Sequence, residues 1–148
     1  MPGELMKLSF WFPRNPALQG WHFIVLTAVF NHQEQFADEE QFRKWCEVGA
    51  GHCDFVPGPK GKVVAIPKSI AWHEMDDHDF GIHHEKVIEF FRSLACTRYL
   101  WPHMSDAEAS EMMEGILTEC EVERERIKQL RAAKGERAAK QIVEGMPK

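Results

Sequence analysis

Residues 51–67, with the sequence GHCDFVPGPKGKVVAIP, decide the fold class of this chain. Two short runs rich in β-forming residues, 52–56 and 62–66, flank the turn sequence PGPKG, which is typical of a β-hairpin. Residues 5–12 are also rich in β-formers and end at Pro13, so we expect a further short strand there. The expected sheet is therefore small and antiparallel, made of this hairpin and the N-terminal strand.

Four stretches with apolar residues at helical spacing surround the hairpin, so the expected class is α+β with about four helices. The third stretch has the strongest helical period, and we expect it to continue without a break to Pro102. Past Cys120 the apolar residues thin out. We therefore expect one domain over residues 1–120 and a charged tail, helical or partly disordered, over residues 121–148. The residues expected to begin the four helices are Asn15, Asp38, Asp76 or Asp77, and Ser105.

The composition is that of a globular protein with an uneven distribution of charge. The chain has 148 residues, of which 44% are hydrophobic and 28% charged, and its formal net charge is −5. This charge argues against a protein that coats duplex DNA, because binding to phosphates depends on lysine and arginine. Between residues 126 and 140, however, the basic residues are opposed by a single acid, Glu136, and this asymmetry is typical of an interaction tail.

The cysteines and the first residues favour a reducing cytoplasm as the compartment. None of the cysteines forms a C-x-x-C pair, and residues 1–13 lack the basic and apolar regions of a secretory signal. No apolar run is long enough to cross a bilayer. We therefore expect a cytoplasmic protein whose cysteines pack as small apolar side chains. The four are Cys46, Cys53, Cys96 and Cys120.

Three motifs follow one another between Arg14 and Asp76, within a similar stretch that covers about residues 13–117. The first is Arg14-Asn15, with Trp21-x-Phe23-x-x-Leu26 and Phe30-Asn31 after it. The second is Val48-Gly49-x-Gly51-His52-Cys53-Asp54, and the third is Gly61-x-Val63-x-x-Ile66-Pro67-x-Ser69-Ile70-Ala71-Trp72-x-x-Met75-Asp76. Together they resemble a family of small phage and prophage proteins that carry a domain of unknown function.

Members of that family sit among replication and recombination genes. The family is in turn similar to the lambda Orf (NinB) recombination mediators, which are dimers that bind single-stranded DNA without a metal or a nucleotide. The resemblance therefore implies an accessory protein of DNA metabolism that acts as a homodimer, needs no cofactor and is not an enzyme. One departure is that relatives carry a longer strand region ahead of the Arg14-Asn15 motif.

Histidines and carboxylates between residues 73 and 84 are the candidates for metal chemistry. Asp79 and His83 are one helical turn apart, so they could bind a divalent metal together with His73 and His78. The favoured interpretation is that the acids begin a helix, where negative charge is stabilising, and that His84 lies in the core. No metal is therefore expected, and a metal-dependent nuclease is the weakest functional hypothesis.

The basic residues are the candidates for contact with nucleic acid. Proteins that bind single strands combine a basic groove with aromatic rings on which bases stack. The leading hypothesis is a non-enzymatic protein that binds single-stranded or branched DNA and assists recombination or replication. The alternative is a protein-binding module that targets a host protein. The candidate DNA contacts are Arg14, Lys60, Lys62, Lys68, Arg98, Lys128 and Arg131.

Overall fold

The predicted hairpin is present in the computed structural model, which describes residues 16–70 and 75–145. Strand β1 (Cys53–Pro57) pairs with strand β2 (Val63–Pro67) in antiparallel register. A short 3-10 turn between them places Lys60 and Gly61 at left-handed φ angles of 62° and 76°, and the glycine adopts this angle without steric strain. The strand predicted at residues 5–12 lies outside the described residues, whose sheet has these two strands.

Five α-helices make up most of the described residues, which confirms the α+β class. The predicted caps Asp38, Asp76 and Ser105 are confirmed, since each side chain accepts a hydrogen bond from a backbone N–H of the first turn. Asn15 lies outside the described residues. The helices are α1 (Pro16–Asn31), α2 (Glu39–Gly49), α3 (Asp77–Phe91), α4 (Leu94–Leu100) and α5 (Asp106–Glu144).

The prediction that the third helix continues to Pro102 is wrong. α3 ends at Phe91, and α4 begins after Ser93, whose side chain accepts a hydrogen bond from the backbone N–H of Cys96. The helical period continues across this break because both helices face the same core. Phe91, Cys96 and Leu100 are all buried there.

α5 is one continuous helix of 39 residues, which corresponds to a length of about 58 Å. It passes Cys120 without a break. Its buried residues all lie between Ala109 and Cys120, whereas every residue from 128 to 145 is exposed. The charged tail is therefore the second half of a helix whose first half belongs to the core.

The helices enclose the core, and the hairpin packs beside it. α5 lies against α1 and α4, while β2 contacts α2. The rings of Phe42 and Phe91 stack in the core with their centroids 6.3 Å apart. The indole N–H of Trp101 donates to the carbonyl oxygen of His32 at 2.8 Å, which ties the end of α4 to the end of α1. Among the described helices, none combines the length and apolar character that a membrane span requires.

Candidate nucleic-acid interface

The charges of α5 are divided between its two halves. Residues 106–125 carry eight acidic residues, with Arg124 as their only basic residue. Residues 126–144 carry two acidic residues and six basic ones. Because the second half is also the exposed one, it is a basic surface that projects from an acidic body. Its basic residues are Arg126, Lys128, Arg131, Lys134, Arg137 and Lys140.

Lys128 and Arg131 flank a groove between α5 and the first turns of α1. The groove has a volume of about 160 Å³, and Arg124, Trp21 and Ile24 also line it. The guanidinium carbon of Arg124 lies 4.9 Å from the centroid of the Trp21 ring, a cation–π contact that covers the indole. Trp21 is only 6% exposed, so its ring is not available for a base to stack on. Glu123 also lines the groove, which therefore offers three basic side chains, one acidic side chain and apolar walls.

The ion pairs of the described residues leave Lys128 and Arg131 available for an external anion. Arg126, in contrast, donates to the carboxylate of Glu123 one helical turn earlier. An exposed lysine or arginine that has no ion pair with a carboxylate of the chain can bind a phosphate without breaking an existing contact. Arg124, Lys128 and Arg131 share one side of the helix, because all three line the groove.

The lysines of the hairpin lie on another part of the surface. Lys60 and Lys62 are at its turn, whereas Lys68 follows β2 and lies 3.5 Å from the carboxylate of Asp54. Lys62 and Lys68 are six residues apart along an extended strand, which separates them by about 20 Å. The hairpin packs on α2, whereas Lys128 and Arg131 flank α1. The lysines of the hairpin and the basic residues of α5 therefore form two separate groups of candidate DNA contacts.

Arg98 is engaged in an ion pair at the opposite end of α5. Its guanidinium donates to both carboxylate oxygens of Asp106, at 2.9 and 2.7 Å. This pair raises the pKa of Arg98 and lowers the pKa of Asp106, chiefly through the hydrogen bonds between them. Asp106 is 22 residues before Lys128, about 33 Å along the helix. Arg98 therefore does not belong to the same surface, and Arg14 lies outside the described residues.

A pair of buried histidines joins α1 to α3. The Nδ1 atoms of His22 and His84 lie 2.8 Å apart, so one must donate and the other accept. Burial, together with the nearby positive charge of Arg124, lowers the pKa of His84 from 6.5 to about 4. His84 is therefore neutral at physiological pH, as expected for a core histidine. His22 was not predicted from the sequence as a core residue, although it lies four residues after Leu18 and three before Val25, at helical spacing.

The metal candidates do not form a metal centre in the described part of the chain. Asp79 and His83 line one cleft of about 280 Å³ with His52, whose Nε2 lies 3.1 Å from the carbonyl oxygen of Ser69. Among the described residues, no group of three or more histidine, cysteine or acidic side chains is arranged to hold an ion. His78 is exposed on α3, and His73 lies outside the described residues. The nuclease hypothesis gains no support from this geometry and stays a prediction.

The four cysteines are buried, and none is poised to act as a nucleophile. Burial raises the pKa of Cys96 to about 12 and also raises the pKa values of Cys46 and Cys120. A reactive cysteine requires the opposite shift, toward the thiolate, and an exposed position. The described thiols therefore serve packing.

No protein-family model, curated protein or solved structure matches the chain. The resemblance to the phage and prophage family therefore depends on the three sequence motifs and stays a prediction. Their residues Arg14, Asn15, Ala71 and Trp72 lie outside the described part of the chain. The most distinctive functional feature of the described residues is the basic, exposed half of α5.

Proposed function

We propose that this chain is a phage or prophage accessory protein that binds single-stranded or branched DNA and assists recombination or replication without enzymatic activity. The observation that carries this proposal is the exposed half of α5, in which six basic residues are opposed by two acidic ones. Nucleic-acid backbones bind such surfaces through their phosphates. The resemblance described above supplies the biological context.

The contact is expected to be short and independent of base sequence. The first half of α5 is strongly acidic and repels phosphates, so binding is confined to the stretch from Arg126 to Lys140, about 21 Å of helix. Trp21, whose ring lines the groove beside this stretch, is buried under Arg124. Since the one aromatic residue that lines this groove in the described part of the chain is buried, we expect the surface to recognise phosphates rather than bases.

The affinity of the chain for a fluorescently labelled single strand, measured by anisotropy, tests the proposal. We compare Lys128→Gln/Arg131→Gln with Lys60→Gln/Lys62→Gln, a matched variant that removes the same charge from the hairpin turn. At about 50 mM salt, the helix variant is expected to lose about tenfold in affinity and the hairpin variant less than about twofold. The slope of log affinity against log salt should fall by about 1.4 in the helix variant.

Two results would contradict the proposal. The first is a folded wild-type chain that binds neither single-stranded nor branched DNA at low salt. The second is an equal loss of affinity in the two variants, which would mean that net charge, rather than the surface of α5, governs binding. A forked duplex and a fully paired duplex of the same length, measured in parallel, establish which DNA structure is preferred.

The hairpin favours a second function, recognition of a protein partner. Phe55 and Val63 lie on the same face of the hairpin, and each is 70% exposed. Val64 and Ile66 are exposed on the other face, and exposed apolar patches are typical of protein-binding sites. A stoichiometric host partner that is captured by the wild-type chain, is lost in Phe55→Ser and is retained in Lys128→Gln/Arg131→Gln would support this alternative.

A further inference from the structure

A second groove between α1 and α5 meets the first one at Ile24, which lines both. Its volume is about 470 Å³, within the ~300–1000 Å³ that is typical of binding pockets. Ile116 and Cys120 are its buried members, whereas Ile24 and Val122 are 46% and 64% exposed. Large apolar side chains that are open to solvent beside a buried apolar floor are typical of a binding surface. We call this surface the second groove.

The charge around the second groove is negative. Glu119 and Glu123 line it, and they belong to the half of α5 in which eight acidic residues are opposed by Arg124 alone. Glu123 is paired with Arg126, whereas no ion pair of the described residues involves Glu119. α1 also ends beside the groove, at Asn31, and the C-terminal end of a helix attracts positive charge. The second groove therefore suits a basic partner and repels phosphates.

The walls of the second groove determine the conformation of the partner. Both walls are α-helices, whose backbone groups are hydrogen-bonded within each helix, so neither wall can pair with an incoming β-strand. The partner segment must satisfy its own backbone groups, as a helix does. From Ile116 to Glu123 the groove extends about 10 Å along α5, or two turns, which suits apolar side chains at positions i, i+3, i+4 and i+7 of a helix. We propose that the second groove binds an amphipathic helix of another protein, in which lysines or arginines flank the apolar stripe.

The exposed half of α5 in a second copy is basic too, but its large apolar residues do not match the second groove. Ile127 lines the first groove of its own chain, and Leu130 and Ile142 are 12 residues apart, about 18 Å. The choice of another protein also rests on the proposed function, because Lys128 and Arg131 cannot bind phosphates while they lie against the acidic residues of a second copy. A partner helix in the second groove leaves both residues available, so the chain can bind DNA and a protein at the same time.

A fluorescein-labelled helical peptide of leucine and lysine, with leucine at positions i, i+3, i+4 and i+7, tests the second groove. Its affinity for the full chain is measured by anisotropy at about 150 mM salt. Val122→Ser is expected to lose about tenfold in affinity, and Val143→Ser, which changes a valine that is 67% exposed on the same helix outside the groove, less than about twofold. Glu119→Lys should lose about tenfold and Glu125→Lys less than about threefold, since Glu125 lies about 120° around the helix from Glu119. Circular dichroism confirms that each variant is folded.

Three results would overturn the proposal. The first is equal loss of affinity in the two members of either pair of variants, which would mean that the peptide binds without regard to the second groove. The second is a wild-type chain that does not bind the peptide, for instance because residues 1–15 cover the groove. The third is a wild-type dimer, seen in sedimentation equilibrium, that Val122→Ser dissociates, since a second copy would then occupy the groove.

The failure of this proposal is distinguishable from the failure of the proposed function. Val122→Ser is expected to keep its affinity for single-stranded DNA within about twofold of wild type, because phosphates bind the other half of α5. Lys128→Gln/Arg131→Gln should keep its affinity for the peptide within about threefold of wild type. A wild-type chain that binds the peptide but no DNA contradicts the proposed function alone, and one that binds DNA but no peptide contradicts the second groove alone.

Discussion

Acidification is expected to destabilise this fold through the buried pair of His22 and His84. In the folded chain the pKa of His84 is about 4, whereas an exposed histidine has a pKa of 6.5. The unfolded chain therefore binds a proton at a pH at which the folded chain does not. The contribution of His84 to stability is thus intact above pH 6.5 and is lost as the pH falls from 6.5 through about 4.

The magnitude follows from the difference between the two pKa values. A shift from 6.5 to about 4 corresponds to a loss of about 3 kcal/mol when both states are protonated. His84 is 9% exposed, so solvent screens this effect only weakly. For a domain with a typical free energy of unfolding of about 5–15 kcal/mol, the loss is a large fraction of the total.

Urea unfolding followed by circular dichroism between pH 8 and pH 4 measures this effect. His84→Asn is expected to be about 1–3 kcal/mol less stable than wild type at pH 8, because Nδ1 of His22 loses its partner. The difference should shrink toward acid pH, since the variant has no histidine to protonate at this position. His103→Asn, which changes an exposed histidine, should follow the wild-type curve. If the difference between His84→Asn and wild type is the same at every pH, the reasoning is refuted.

Three further predictions concern other parts of the fold. Burial raises the pKa of Glu47 from 4.5 to about 7, so its contribution to stability is complete below pH 4.5 and is lost as the pH rises through about 7. In urea unfolding, Glu47→Gln should be more stable than wild type by about 1–2 kcal/mol at pH 8 and equally stable at pH 4.5. In thermal unfolding, Gly20→Ala should stabilise the fold by about 0.5–1 kcal/mol, because the added Cβ meets no atom within 4 Å. Gly49→Ala should destabilise the fold by about 1–3 kcal/mol, because the added Cβ would overlap the ring of Phe90. The four buried thiols should react with a disulfide reagent at least about 100-fold more slowly in the folded chain than in urea, and fast labelling of even one in the folded state would contradict the burial of the cysteines.

Local signals in the sequence predicted most of the elements. Asp38 and Ser105 are capping residues whose side chains act within one turn, so their effect does not depend on the rest of the fold. The break at Ser93 was missed because Phe91 and Leu100 face a common core, and the apolar period alone cannot reveal a change of helix direction. A serine within a long apolar pattern was the available signal.

The candidate site was less predictable than the fold. Helical spacing placed Lys128 and Arg131 together, because both are on one helix. The separation of Arg98 from them depends on how α4 packs against the start of α5, which is a tertiary arrangement. The same holds for His22 and His84, which are 62 residues apart and meet only because α1 crosses α3.

The division of α5 into a packed half and an exposed half separates two levels of local stability within a single element. Amide hydrogens near Cys120 can exchange only when the core opens, whereas those near Lys140 can exchange through fraying from the end of the helix at Gly145. Proteases that cleave after lysine or arginine would therefore remove the distal part first and leave the hydrophobic core intact. Any ligand that binds the exposed half of α5 would slow both hydrogen exchange and proteolysis there, so these two rates measure ligand binding.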